Sequence, residues 1–137
     1  MSFFGGIKRT TGDKYFSDYI REKANWTCER CGKVFDGPHA AIQNSHYFTR
    51  GNPRVRFDPD NCSCLCVGCH DWFTKNPHDH SEFMRRKLGE VRYDALVLRS
   101  NMRRTEKLDH KLEAIKWRLA LKEMRLAKDG IVMGRKA

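Results

Sequence analysis

Asn61-Cys62-Ser63-Cys64-Leu65-Cys66-Val67-Gly68-Cys69-His70 is the stretch on which the fold turns. It ends in Cys-x-x-Cys-His, and Cys28-Glu29-Arg30-Cys31 carries the same spacing far upstream. Two intervening residues let both thiolates of a knuckle reach one metal, and two knuckles complete a tetrahedral zinc site. The 34 residues between Cys31 and Cys66 exceed the gap of a short zinc ribbon. A structural zinc on Cys28, Cys31, Cys66 and Cys69 would therefore join two distant parts of the chain around an inserted element. Binding free energy on the order of 10 kcal/mol would then contribute directly to folding. Cys62 and Cys64 make a poorer knuckle and read as small buried side chains, although one could replace Cys66. Neither Cys-x-x-Cys pair opens a strand-to-helix unit, which argues against a redox motif.

The insert and its borders carry the other chemistry-bearing groups. His46 lies on an expected strand, Asn61 in the turn Asp58-Pro59-Asp60-Asn61, and His70 on a short helix beside the last thiolate. A neutral imidazole near pH 7 can take a proton from water. A divalent cation held near His70 would stabilise charge on a leaving oxygen. Asn61 could accept from His46 and orient its ring, or brace the loop by bonding the backbone. His39 follows Gly37-Pro38 and reads as a surface residue.

The 137 residues suit one small domain with an extension. The N-terminus lacks the charged start and apolar run of a signal peptide. Six cysteines without such a signal point to metal rather than disulfides, and to a reducing cytoplasm. Net charge is +10, which favours a polyanionic partner, most simply nucleic acid. The excess sits late: residues 28–80 are neutral and residues 81–128 carry +7. Arg50, Arg54 and Arg56 follow His46 closely and suit phosphate recognition. Arg85, Arg86, Lys87, Arg103 and Arg104 form denser runs that could track phosphates without reading bases.

Residues 1–12 read as loose, and 13–25 as a helix with Phe16, Tyr19 and Ile20 on one face. Short strands are expected at Thr27–Cys28, Val34–Phe35 and Ser45–Phe48, and a helix from Leu65 to Thr74 ended by Asn76-Pro77. Helices follow over 81–88, with Ser81 as N-cap, and over 90–100, broken at Gly89. A final helix runs from a Thr105 cap to Lys128, with 129–137 as a loose tail. Its stripe of Leu108, Leu112, Ile115, Leu119 and Leu126, widened by Trp117 and Leu121, would pack on the core or form a homodimer seam.

The order Cys-x-x-Cys, His46, Asn61, Cys-x-x-Cys-His70 resembles the His-Asn-His (HNH, ββα-metal or His-Me finger) endonucleases. The run Ser45-His46-Tyr47-Phe48-Thr49-Arg50-Gly51 with Arg56-Phe57-Asp58 before Asn61 resembles the phage NinG, or Rap, recombination nucleases, as do Phe16–Arg21 and the basic tail. The likeness covers roughly residues 13–127. It implies an α+β fold: a zinc-stapled ββα-metal core over 13–80, a leading helix and a basic helical extension over 81–128. It implies hydrolysis of DNA phosphodiesters in branched intermediates such as Holliday junctions or D-loops, with Mg²⁺ or Mn²⁺, in the cytoplasm of a bacterium or phage-infected host. Carried over by position, His46 is the general base, Asn61 organises the loop and His70 holds the metal. Many members place Asp or His immediately before the base; here stands Ser45, a weak ligand for a hard cation. Asn44, Ser45 through water, or one of Asp71, His78, Asp79 and His80 could add a ligand. Another phage-type His-Asn-His nuclease, tied to packaging or restriction, is the alternative enzyme, and a non-catalytic zinc DNA-binding protein the alternative class.

Overall fold

The computed structural model describes residues 7–104 and 106–134, the last four by backbone alone. Seven elements follow in order: α1 (Thr11–Lys23), β1 (Ile42–His46), β2 (Cys62–Cys66), α2 (Val67–Lys75), α3 (Pro77–Leu88), α4 (Glu90–Asn101) and α5 (His110–Gly134). The class is α+β. β1 and β2 pair antiparallel, with Ile42 opposite Cys66, Asn44 opposite Cys64 and His46 opposite Cys62. Side chains alternate across a strand. Ile42, Asn44 and His46 therefore leave β1 on one face, and Gln43 and Ser45 on the other. α1 packs on the hairpin, and Phe16 reaches both His46 and the cluster around Cys62. α2 and α3 supply the side chains over Gln43 and Ser63.

Local chemistry fixes the boundaries. α1 starts earlier than expected because Thr10 and Asp13 form a reciprocal capping box. It ends at Lys23, and Asn25 takes φ 54°, a left-handed conformation that Asn tolerates. Thr27 and Val34 form one isolated bridge rather than two strands. β1 begins at Ile42 and stops at His46. Beyond it the Tyr47 and Phe48 amides bond the backbone carbonyl (2.8 Å) and side chain (2.8 Å) of Asn61. The expected helix from Leu65 is instead a strand through Cys66 followed by α2. A short run buried on both faces has no diagnostic period.

α3 begins at Pro77, a residue pre-set for the first helical position. Ser81 therefore lies inside the helix, not at its cap, and its hydroxyl meets the Tyr47 hydroxyl at 2.6 Å. Gly89, at φ 78°, separates α3 from α4. Thr105 lies outside the described residues; α5 begins at His110, where Asp109 accepts from the Leu112 amide at 3.0 Å. Gly12 lets α5 approach α1 closely, because a Cβ there would sit 3.2 Å from the Ala114 backbone nitrogen. Trp117 and Leu121 are buried, with Trp117 against Phe16 and Tyr19. Leu112, Ile115, Leu119 and Leu126 remain exposed, so only the Trp117 and Leu121 side of the stripe packs on the core.

One buried ion pair ties α1 to the loop. Arg56 donates from Nε to Asp13 Oδ1 at 3.0 Å and from a second nitrogen to Oδ2. Burial alone would raise the Asp13 carboxyl; the Arg56 guanidinium and the Thr10 cap outweigh it and hold the acid below its ordinary range. That stabilisation is present above the unfolded carboxylate value of about 3.9 and is lost as pH falls through the folded value. Asp13→Ala leaves Arg56 buried without its partner. It should cost about 3–5 kcal/mol in urea unfolding, whereas a loss within experimental error would show that the pair is replaceable.

Candidate functional site

The four sulfurs of Cys28, Cys31, Cys66 and Cys69 all lie within 4.8 Å of one another. Cys31 and Cys66 sulfurs are 3.7 Å apart. Tetrahedral zinc with bonds of about 2.3 Å sets ligand sulfurs about 3.8 Å apart, so this group could hold zinc. Among the described residues it is the one group of three or more Cys, His, Asp or Glu side chains converging so closely. The Cys31 amide donates to Cys28 Sγ at 3.5 Å, and Arg30 donates to Cys69 Sγ at 3.4 Å. Burial acts to raise the Cys28 thiol, but backbone amides of Cys31, Cys66 and Arg30 bring it down to about 7. Burial pushes Cys64 up to about 12 and holds Cys62 well above the ordinary thiol range, as expected of inert buried thiols.

His46, at the end of β1, lies against Phe16 and places Nε2 2.9 Å from the Arg56 carbonyl oxygen. A carbonyl can only accept, so Nε2 carries the proton and Nδ1 keeps its lone pair. Burial lowers the pKa of His46, against an upward pull from the Arg56 carbonyl and Asp13. Arg50 and Arg56 add a downward push. The ring is thereby held neutral at pH 7. Asn61, fully buried, does not reach His46; of its two expected roles it takes loop bracing. Its amide nitrogen donates to the carbonyls of Phe48 (2.8 Å) and Val55 (3.1 Å). These bonds fasten both ends of the loop that delivers Arg56 to His46.

His70 and His46 sit on opposite faces of the hairpin. His70 Nδ1 lies 2.6 Å from Gln43 Oε1, which fixes the ring from β1. Sequence reasoning overlooked Gln43, although its place two residues before Ser45 put it on the Ser45 face. Asn44 Oδ1 and Ser45 Oγ are buried without a hydrogen-bond partner. Of the possible additional ligands, Asp71 pairs with Lys75, His78 lies exposed beside Glu82, and Asp79 accepts from Trp72 Nε1. His80 is buried, stacked on Phe73 at 4.5 Å and edge-on to Tyr47. Burial, with His70 and Lys87 nearby, pushes it down to about 4.

The basic residues divide. Arg56, expected at DNA, is 8% exposed and serves as the brace to Asp13. Arg50 bonds the Ile7 carbonyl at 3.0 Å and lies 3.9 Å from Asp13. Lys87 pairs with Glu29 at 2.8 Å and also donates to Ser63. Arg85 lies over the Tyr93 ring and pairs with Glu90. Arg54 reaches the Met102 carbonyl, and Arg104 the Pro53 carbonyl, with both residues exposed. Arg86 and Arg103 are exposed.

Fold and site together define a small α+β protein in which a four-cysteine cluster that could hold zinc brings the Cys28–Cys31 knuckle onto the β2–α2 junction. The chain belongs to the NinG family: the family model described as Bacteriophage Lambda NinG protein matches residues 8–128. Membership gives it a phage, recombination-related setting. No curated protein and no solved structure matches the chain. No described helix is long and apolar enough to cross a membrane.

Proposed function

We propose that this protein is a metal-dependent DNA endonuclease of the His-Asn-His type, in which β1, β2 and α2 form the ββα-metal core. The observation that carries the reading is the bond from His46 Nε2 to the Arg56 carbonyl, which leaves Nδ1 as a neutral base beside Arg50. His46 takes the proton of the attacking water at Nδ1 and holds it as imidazolium. Asn61 keeps the loop, and so the Arg56 carbonyl, in register. Arg50 offers its guanidinium to phosphate. His70 belongs to the cation side, one strand position from the base through Ser45. A divalent cation bound there would stabilise the leaving oxyanion. Zinc on the four cysteines does no chemistry; it fixes β2 and α2.

The family setting favours branched recombination intermediates as substrate. Exposed Arg54, Arg86, Arg103 and Arg104 suit backbone contacts. The test is incubation of zinc-loaded protein with a synthetic four-way junction and a linear duplex, in Mg²⁺, in Mn²⁺ and with chelator. The expected result is cation-dependent cleavage with the junction preferred. Equal cleavage of both would favour the packaging or restriction alternative. Binding without cleavage in these metals or in Co²⁺ or Ni²⁺ would leave a zinc DNA-binding protein.

Symmetric junction cleavage calls for two active sites, and the exposed Leu112, Ile115, Leu119 and Leu126 stripe offers a self-complementary seam. Light scattering should give a dimer for the wild type and a monomer for Leu119→Glu. A monomeric wild type at cleavage concentrations would remove the seam.

A further inference from the structure

The helix-covered face of the hairpin has nearly all of its polar groups matched. Gln43 meets His70 at 2.6 Å, Tyr47 meets Ser81 at 2.6 Å and Tyr93 at 2.7 Å, and Ser63 receives Lys87 at 3.0 Å. Two atoms are left over: Ser45 Oγ and His80 Nε2, each buried with no partner. Ser45 is 1% exposed and His80 9%. Both belong to the same layer. Ser45 lies between Gln43 and Tyr47 along the chain and opposite Ser63 in register. His80 packs on the Tyr47 ring, and Met84, one turn further along α3, lies over Ser63 at 3.6 Å. Buried polar atoms without partners are rare in native proteins and mark an absent water or ion.

A third group faces the same layer. His70 Nδ1 meets the Gln43 oxygen, so Nδ1 carries the proton and the lone pair is on Nε2. A ring whose second nitrogen is fixed by an amide or carboxylate oxygen is the usual preparation of a histidine ligand. Asp71 and Asp79 are engaged with Lys75 and Trp72, so no carboxylate is offered here by α2 or the start of α3.

We propose that His80 is a ligand of the catalytic cation, completing with His70 Nε2 and Ser45 Oγ a two-imidazole, one-hydroxyl site whose remaining positions are taken by water and DNA phosphate. This rests on the reading of His70 as a cation ligand. It supplies from α3 the donor that Ser45 fails to supply from β1. It also sets metal choice. Imidazole favours zinc, nickel and cobalt, whereas magnesium wants carboxylate and water. The site should therefore prefer Co²⁺ or Ni²⁺ to Mg²⁺, with Mn²⁺ between them.

Titration of the full chain with Ni²⁺ by calorimetry, with zinc content counted before and after, tests it. The expected result is one nickel per chain with the four-cysteine zinc retained. Affinity should fall at least tenfold in His80→Phe, which keeps the aromatic stack on Phe73, and in His80→Asn. His78→Ala should bind as wild type. Thermal melts of both His80 variants separate a lost ligand from a lost fold. Unchanged nickel affinity in a folded His80 variant overturns the proposal, as does a wild type that binds no second ion, which would assign the two orphan atoms to a buried water. Nickel binding through His80 without DNA cleavage would keep this site and reject the nuclease. Cleavage with nickel affinity indifferent to His80 would do the reverse.

Discussion

Removal of metal from the four-cysteine centre will unfold the hairpin and α2 rather than merely silence the protein. The apolar cluster around the knuckles consists of Cys28, Ile42, Cys64, Leu65, Cys69 and Phe73. Half of these are cysteines, and two of them, Cys28 and Cys69, belong to the four-sulfur group that could hold zinc. Ile42, Leu65 and Phe73 bring about 1.5–3 kcal/mol each through burial. Zinc on such a site contributes about 10–16 kcal/mol, against a total stability for a domain of about 5–15 kcal/mol. The metal term is therefore as large as the whole margin. Burial raises the Cys69 thiol to about 12 beside three other sulfurs, so the group resists ionising together without a cation. A strong chelator, or Cys66→Ser, should abolish the cooperative melt and the protection of β2 amides from hydrogen exchange. Metal analysis of the native protein should return about one zinc per chain. A chelated protein that keeps its melt and its circular dichroism would show that the staple is dispensable.

The cysteine spacing was legible because metal geometry is local: two residues between thiols leave few other uses. Helices α1, α3 and α4 were legible from apolar period and from Gly89. β2 was not, because Cys62-Ser63-Cys64-Leu65-Cys66 is buried on both faces and so has no period of its own. Ser81 looked like a cap by residue type, yet Pro77 starts the helix one turn earlier and frees the serine for Tyr47. Arg56 looked like a phosphate ligand because it follows His46 in a basic run. Its partner, Asp13, lies 43 residues away in sequence, and no local rule connects the two. Arg56 still reaches His46, through its carbonyl rather than its guanidinium. His80 was one of four candidates for an extra ligand on sequence grounds. Packing engages Asp71, His78 and Asp79 elsewhere and leaves His80 Nε2 without a partner.

His46→Ala should lower DNA cleavage by about 10²–10⁴-fold while leaving zinc content and the thermal melt close to wild type. The ring contributes no ligand to the cysteine centre, and its one hydrogen bond is to a carbonyl at the loop edge. The pH dependence carries a sign that a merely structural histidine would not give. A general base must be unprotonated, and burial lowers the His46 pKa. The acid limb of kcat/KM should thus fall below the ordinary histidine value of about 6.5. Arg50 is one of the charges that depress it, so Arg50→Gln should move that limb upward while also weakening phosphate binding. The same shift acts on stability. A histidine held neutral in the fold stabilises it above about pH 6.5, and that contribution disappears as pH falls and the unfolded chain takes up the proton. Cleavage by His46→Ala at the wild-type rate would remove His46 as the base. An acid limb unmoved in a folded, active Arg50→Gln would remove the electrostatic link between the two.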